Sequence, residues 1–200
     1  MFTYQILRPF GYLSISHPAK KVVDWYIPIC LAALLCITVF IFRTSVNVWG
    51  ENGLVAMVQG LVQGLPGFYI AALAAVATFG KQSILDTLIP EPTPTIDTWY
   101  DGGKLEIELT RRRFLSLLFA YLTAISLCLS IFSAFVRALA NPIRNWFPEI
   151  ISNFCYFVIT YAYVFFVLQM LIVTLWGLYY LSDKMHQPDA NSVSKNVDQD

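Results

Sequence analysis

Four long stretches of this chain carry no charge, and each is bounded by charged or turn-forming residues. The first, Trp25 to Phe42, reads WYIPICLAALLCITVFIF, eighteen residues. As a helix at about 1.5 Å per residue it covers about 27 Å, close to the hydrocarbon thickness of a bilayer. Pro28 is expected in the first turn, where a missing N–H costs little. Trp25 and Tyr26 supply the aromatic ring of a span's edge. The run is too long for a signal-peptide core and no A-x-A site follows it, so an uncleaved anchor is expected. The second run, Leu54 to Phe79, contains Gln59, Gln63 and Pro66-Gly67, and is expected to tilt, to kink at Pro66 or to begin as an interfacial turn. The third, Phe114 to Val136, lies between Arg111-Arg112-Arg113 and Arg137. The fourth, Ile150 to Leu181, holds 32 uncharged residues and must tilt or protrude. The pattern predicts an all-α integral membrane protein with four transmembrane helices arranged as two hairpins.

Between the second and third runs the pattern changes period. PEPTP, Pro90 to Pro94, must run extended, because each proline fixes φ and biases its predecessor away from helix. In TIDTWYDGGKLEIEL, alternating apolar residues flank Asp101-Gly102-Gly103, which predicts a β-hairpin placing Ile96, Trp99 and Tyr100 across from Leu105, Ile107 and Leu109. An isolated hairpin is marginal in water. It is therefore either a stiff connector or a docking element, with Trp99, Tyr100, Leu105 and Ile107 as candidate partner contacts. The tail from Ser182 has no aromatic residue and is expected to be disordered. The N-terminal stretch is rich in Phe, Tyr, Ile and Leu, yet Pro9 and Gly11 interrupt a helix, so it is expected to lie in the interface. The boundaries are residues 1–24 for the N-terminal segment, 25–79 for the first transmembrane hairpin and 80–113 for a cytoplasmic loop with the β-hairpin. Residues 114–181 form the second transmembrane hairpin and 182–200 the tail.

Composition agrees with lipid as the solvent. Charged residues make up 13% and hydrophobic ones 57%, with a mean hydropathy of +0.59, whereas soluble domains carry about 25% charge. Net charge is zero, so direct nucleic-acid binding is not expected. Of the thirteen basic residues, ten fall in the N-terminus, the central connection and the tail, and only Arg43, Arg137 and Arg144 fall in the other two connections. That bias predicts both termini on the cytoplasmic side of a membrane crossed several times.

Candidate chemistry is sparse. The four cysteines lie in apolar runs without a C-x-x-C pair and read as small packing residues. His17 and His186 stand alone, and no cofactor or metal is expected. No nucleophile–base set or phosphate-binding glycine loop occurs. The acidic residues all fall in flanks or loops, so no ionisable group is expected at membrane depth, which argues against coupled transport or proteolysis. The chain reads as non-enzymatic. Stripes remain. Gly60, Gly64, Gly67, Ala71, Ala74 and Thr78 form a small-residue face, with Gln59 and Gln63 beside it. Ser116, Thr123, Ser126, Ser130 and Ser133 share a face of the third run that ends in Arg137, a residue expected to snorkel to the interface. Tyr156, Thr160, Tyr163 and Thr174 share one in the fourth, with Gln169 near its middle. These faces are helix–helix contacts inside a four-helix bundle, or in a homo-oligomer the lining of a polar path, or a groove for a lipid or small ligand.

The lack of catalytic residues, the short external loops, the compact insert and the polar tail resemble the small membrane effectors of bacterial anti-phage systems. The stretch SHPAKKVVDWYIP, Ser16 to Pro28, is similar to the entry of the transmembrane effector encoded beside a retron reverse transcriptase. The resemblance implies a toxin-like protein held quiet by that reverse transcriptase and its RNA–DNA product, which permeabilises the inner membrane once released. The residues themselves leave two other functions open: an accessory subunit of a larger membrane complex, or a channel for a small neutral solute.

Overall fold

The computed structural model describes residues 2–42, 46–78, 84–89, 92–100, 103–146 and 148–182. Four of its helices are long and apolar enough to cross a membrane: α2 (Pro18–Ile41), α3 (Leu54–Thr78), α4 (Arg111–Trp146) and α5 (Glu149–Ser182). They are preceded by a short helix α1 (Phe2–Leu7) and a 3-10 turn, Arg8–Ser14. The α-helix stops before Pro9, as the ring demands. The chain does not then simply lie on the surface: the 3-10 turn buries Tyr12 completely and leads to the buried Ile15.

Helix α2 starts seven residues before the expected Trp25. Pro28 is consequently inside the helix and not in its first turn. The proline has no N–H to give the Asp24 carbonyl four residues back, and the backbone widens into a π turn over Val22–Tyr26. Helix α3 runs unbroken through Pro66. Its N-terminus is capped by the preceding loop, since the Leu54 and Val55 amides donate to the Asn47 and Val48 carbonyls, satisfying donors that a helix leaves orphaned. Gly53 permits this fold-back, because a Cβ there would stand 2.6 Å from the Val48 carbonyl oxygen. At the other end of α3, Arg112 Nη1 donates to the Val76 carbonyl at 2.9 Å while Nε binds Asp86 at 2.7 Å. The arginine cluster is thus structural as well as a charge signal. Helix α4 continues past Arg137, well beyond the expected end at Val136.

The hairpin forms from β1 (Thr95–Tyr100) and β2 (Gly103–Glu108). Its register pairs Ile96 with Ile107 and Tyr100 with Gly103. Gly103 is thus a strand residue, and Asp101 and Gly102 lie outside the described residues. The hairpin is anchored in its own chain. Ser16 and Thr95 exchange backbone hydrogen bonds at 2.9 and 3.2 Å, Leu88 bridges Thr110, and Ile96 and Leu109 are buried. Those contacts give a two-stranded unit the packing it needs to persist.

Helix α4 is central, with half of its apolar window buried against 22% for α2 and for α3. It packs on α3, on α5 and on the N-terminal turn, while α2 packs mainly on α5. The expected first hairpin is therefore splayed, with α2 and α3 each docked on a different helix of the α4–α5 pair. The cause lies in α2, whose buried face is Lys20, Asp24, Pro28, Ala32 and Cys36. One residue in four is charged or small there, a face that admits close approach and matches the polar side chain that α5 offers.

Candidate functional site

The polar centre of the molecule is built on Asp24, which has no exposed surface. One carboxylate oxygen accepts from the Tyr12 hydroxyl at 3.0 Å, and the other faces the Lys20 ammonium at 2.7 Å. The i, i+4 spacing brings this pair together on one face of α2. Lys20 also stands over the Tyr12 ring, 4.4 Å from its centroid, within cation–π range. The carbonyl freed by Pro28 takes Gln169 Nε2 at 2.9 Å, and the Gln169 carbonyl oxygen accepts from the Tyr121 hydroxyl at 2.7 Å. Tyr121 stacks on Tyr12 with centroids 5.2 Å apart. The N-terminal turn, α2, α4 and α5 therefore meet in one closed network. Burial, followed by the neighbouring Asp24 charge, pushes the Tyr12 hydroxyl's pKa far above its usual range, so it remains a donor at any physiological pH.

This network buries an acidic residue whose place in a flank gave no sign of burial. Asp24 is in a flank of the apolar run, but the helix that contains it starts earlier and turns it inward. Gln169 was expected alone near mid-membrane, and it is the link between Asp24 and Tyr121. The legible signal was the repeat Lys20, Asp24, Pro28, Ala32, Cys36, which carries a single face of α2 from charge into apolar sequence.

The other anticipated residues divide sharply. Gln59 is buried and accepts from Arg137 Nη1 at 3.0 Å, so Arg137 is turned toward α3. Gln63 is exposed, as is Ala71. Gly60, Gly64 and Gly67 have open space where a Cβ would stand. Among the described residues the glycine face thus touches no other helix of this chain, against the expectation of a contact inside the bundle. The face that does pack is the large one, Val55, Gln59, Val62, Pro66, Tyr69 and Val76, at spacings of four, three, four, three and seven. Ser126 and Ser133 are fully buried and Ser130 is half-buried. Each of the three donates to a carbonyl of its own helix. A hydroxyl satisfied in that way needs no water, which makes this face packing surface in the single chain. Tyr156 is exposed, whereas Thr160 and Tyr163 are buried. Of the cysteines, Cys36 packs, and Cys30, Cys128 and Cys155 face outward. In the hairpin Leu105 is exposed and Ile107 half-buried. Trp99 and Tyr100 pair through their backbones with Lys104 and Gly103, and their side chains lie outside the described residues.

Chemically, the Asp24 network is a lock. Both carboxylate oxygens and the Lys20 ammonium are engaged, and the described residues contain no group of three or more His, Cys, Asp or Glu that would hold a metal ion. No family model matches the chain, and neither the curated proteins nor the solved structures offer a match.

Proposed function

We propose that this chain is a non-enzymatic effector of a bacterial inner membrane that permeabilises the bilayer by self-assembly, in an anti-phage setting. The observation that carries the reading is the contrast between the two sides of α3. The inward side is filled by Tyr69 and its neighbours, and the outward side presents open glycines with the exposed amide of Gln63. An amide left unpaired in hydrocarbon costs several kcal/mol, on the order of 4–8 by transfer to an alkane. Pairing with the same face of a second copy removes that cost, and Gly60 and Gly64 form the G-x-x-x-G spacing that lets backbones approach. A path therefore arises between copies and not through one chain, whose interior is occupied by the Asp24 lock and the packed serines. The ten-to-three distribution of basic residues supports an orientation with both termini in the cytoplasm. It puts the hairpin on that side too, where its exposed Leu105 would meet a regulator. The resemblance at Ser16 to Pro28 names that regulator as a reverse transcriptase carrying its RNA–DNA product.

The test is unchecked expression in a bacterium with a membrane-potential dye. The parent should depolarise the inner membrane and arrest growth, and Gly64→Leu should insert normally but leave the potential intact. An unchanged potential with the parent protein at high expression would favour the accessory-subunit reading.

A further inference from the structure

At the far end of the bundle from the hairpin, a second polar cluster gathers donors without an anion. Arg137 of α4 is half-buried and gives Nη1 to Gln59, an uncharged partner, while its Nε is buried and meets no acceptor among the described residues. No carboxylate pairs with Arg137 among those residues. Across from it, the Tyr163 hydroxyl of α5 is also buried without a hydrogen-bond acceptor, on a side chain only 3% exposed. It stands beside Ser133 and in the field of Arg137, with the Ser133 hydroxyl oriented by its own hydrogen bond to the Ser130 carbonyl. The loop before α3 closes the cluster. Trp49 donates its indole N–H to Thr160 at 2.8 Å and packs its ring 5.5 Å from that of Tyr163.

A cation half-removed from water with only an amide as partner is poorly compensated, and its buried Nε has no acceptor among the described residues. Depth indicates what fills the need. From Arg111 to Arg137, 26 residues on one helix, the rise is about 39 Å at about 1.5 Å per residue. A bilayer is about 40–45 Å thick with its headgroup regions included, about 30 Å of it hydrocarbon, so a rise of about 39 Å ends within both headgroup regions. Arg137 therefore stands at the level of lipid phosphates when Arg111 stands at the opposite surface. We propose that Arg137, with Tyr163 and Gln59, seats the phosphodiester of a membrane lipid between α3, α4 and α5. Guanidinium geometry suits a phosphate oxygen pair. The inference rests on the four helices crossing a bilayer and is independent of the effector reading.

The full chain, purified in dodecyl maltoside, is exposed to phosphatidylglycerol and, in a parallel arm, to inorganic phosphate. Bound lipid is read by native mass spectrometry and stability by the melting midpoint. Phosphatidylglycerol should be retained at about one molecule per chain and should raise the midpoint, and inorganic phosphate should do neither. Arg137→Gln should lose at least about fivefold of the retained lipid, Arg137→Lys should recover part of it, and Tyr163→Phe should lose about twofold. Insertion of each variant is checked by resistance to alkaline extraction. Equal retention by the parent and an inserted Arg137→Gln overturns the site. A midpoint raised equally by phosphate overturns the lipid assignment in favour of a free anion. If Arg137→Gln fails to insert, Tyr163→Phe decides, because it removes a single oxygen.

Discussion

At the scale of single residues, the chain concentrates its risk in Asp24. A buried carboxylate is tolerable only while its partners stay in place, and breaking a buried ion pair costs about 3–5 kcal/mol because the remaining charge is stranded. Asp24→Ala leaves Lys20 buried without its carboxylate, so a loss of that order is expected in detergent melting experiments. Tyr12→Phe keeps the ring between Lys20 and Tyr121 but removes the hydroxyl donor, and should cost about 1.5–3 kcal/mol, the range for hydrogen bonds to charged groups. A Tyr12→Phe variant as stable as the parent would mean that the ring, and not the hydroxyl, holds the N-terminal turn. The Asp24 lock was only half readable from sequence. Lys20 and Asp24 are visibly four apart, but their entry into the core depends on Tyr12 and Gln169, which lie 12 and 145 residues away from Asp24.

Among the elements, small residues do two different jobs that their spacing does not distinguish. The stripe of α2, with Pro28, Ala32 and Cys36, is buried, and the longer glycine stripe of α3 is not. Gly177 in α5 is the glycine that a neighbouring helix needs, since a Cβ there would stand 3.0 Å from Leu118 Cδ2. A branched side chain at that position would overpack the α4–α5 contact, at a cost of about 1–3 kcal/mol or more. Gly177→Leu should therefore lower the melting midpoint of the single chain. Gly64→Leu should leave that midpoint unchanged and reduce oligomer on mild detergent gels. The reverse pattern would show that the glycine face of α3 is buried within one chain. The ambiguity is physical, because hydrophobic periodicity identifies an inward stripe only when the outward side is polar, and in lipid both sides are apolar.

For the whole molecule, the test is topology. Reporter fusions at Glu51 and Asn145 should read as external and fusions at Asp101 and Asp200 as cytoplasmic, as the basic-residue bias requires. A cytoplasmic signal at Asn145 would break the four-span architecture at its third crossing. The existence and order of the four helices could be read from the chain alone, because an uncharged run of bilayer length has no stable alternative to helix in hydrocarbon. The hairpin was legible for a similar local reason, apolar alternation on either side of Asp101-Gly102-Gly103, although Gly103 proved to be a strand residue. That Pro28 frees the Asp24 carbonyl was decided by the structure, which starts the helix at Pro18 and so puts the proline inside it and not in its first turn. Which side of each helix faces inward was decided only in the tertiary structure. It placed Gln59 and Gln169 inside and Gln63 outside, docked α2 on α5 instead of on its chain neighbour, and turned Arg137 toward Gln59. Those choices depend on complementarity between side chains far apart in the chain, where a buried donor must find its acceptor, and no local pattern records which acceptor is within reach.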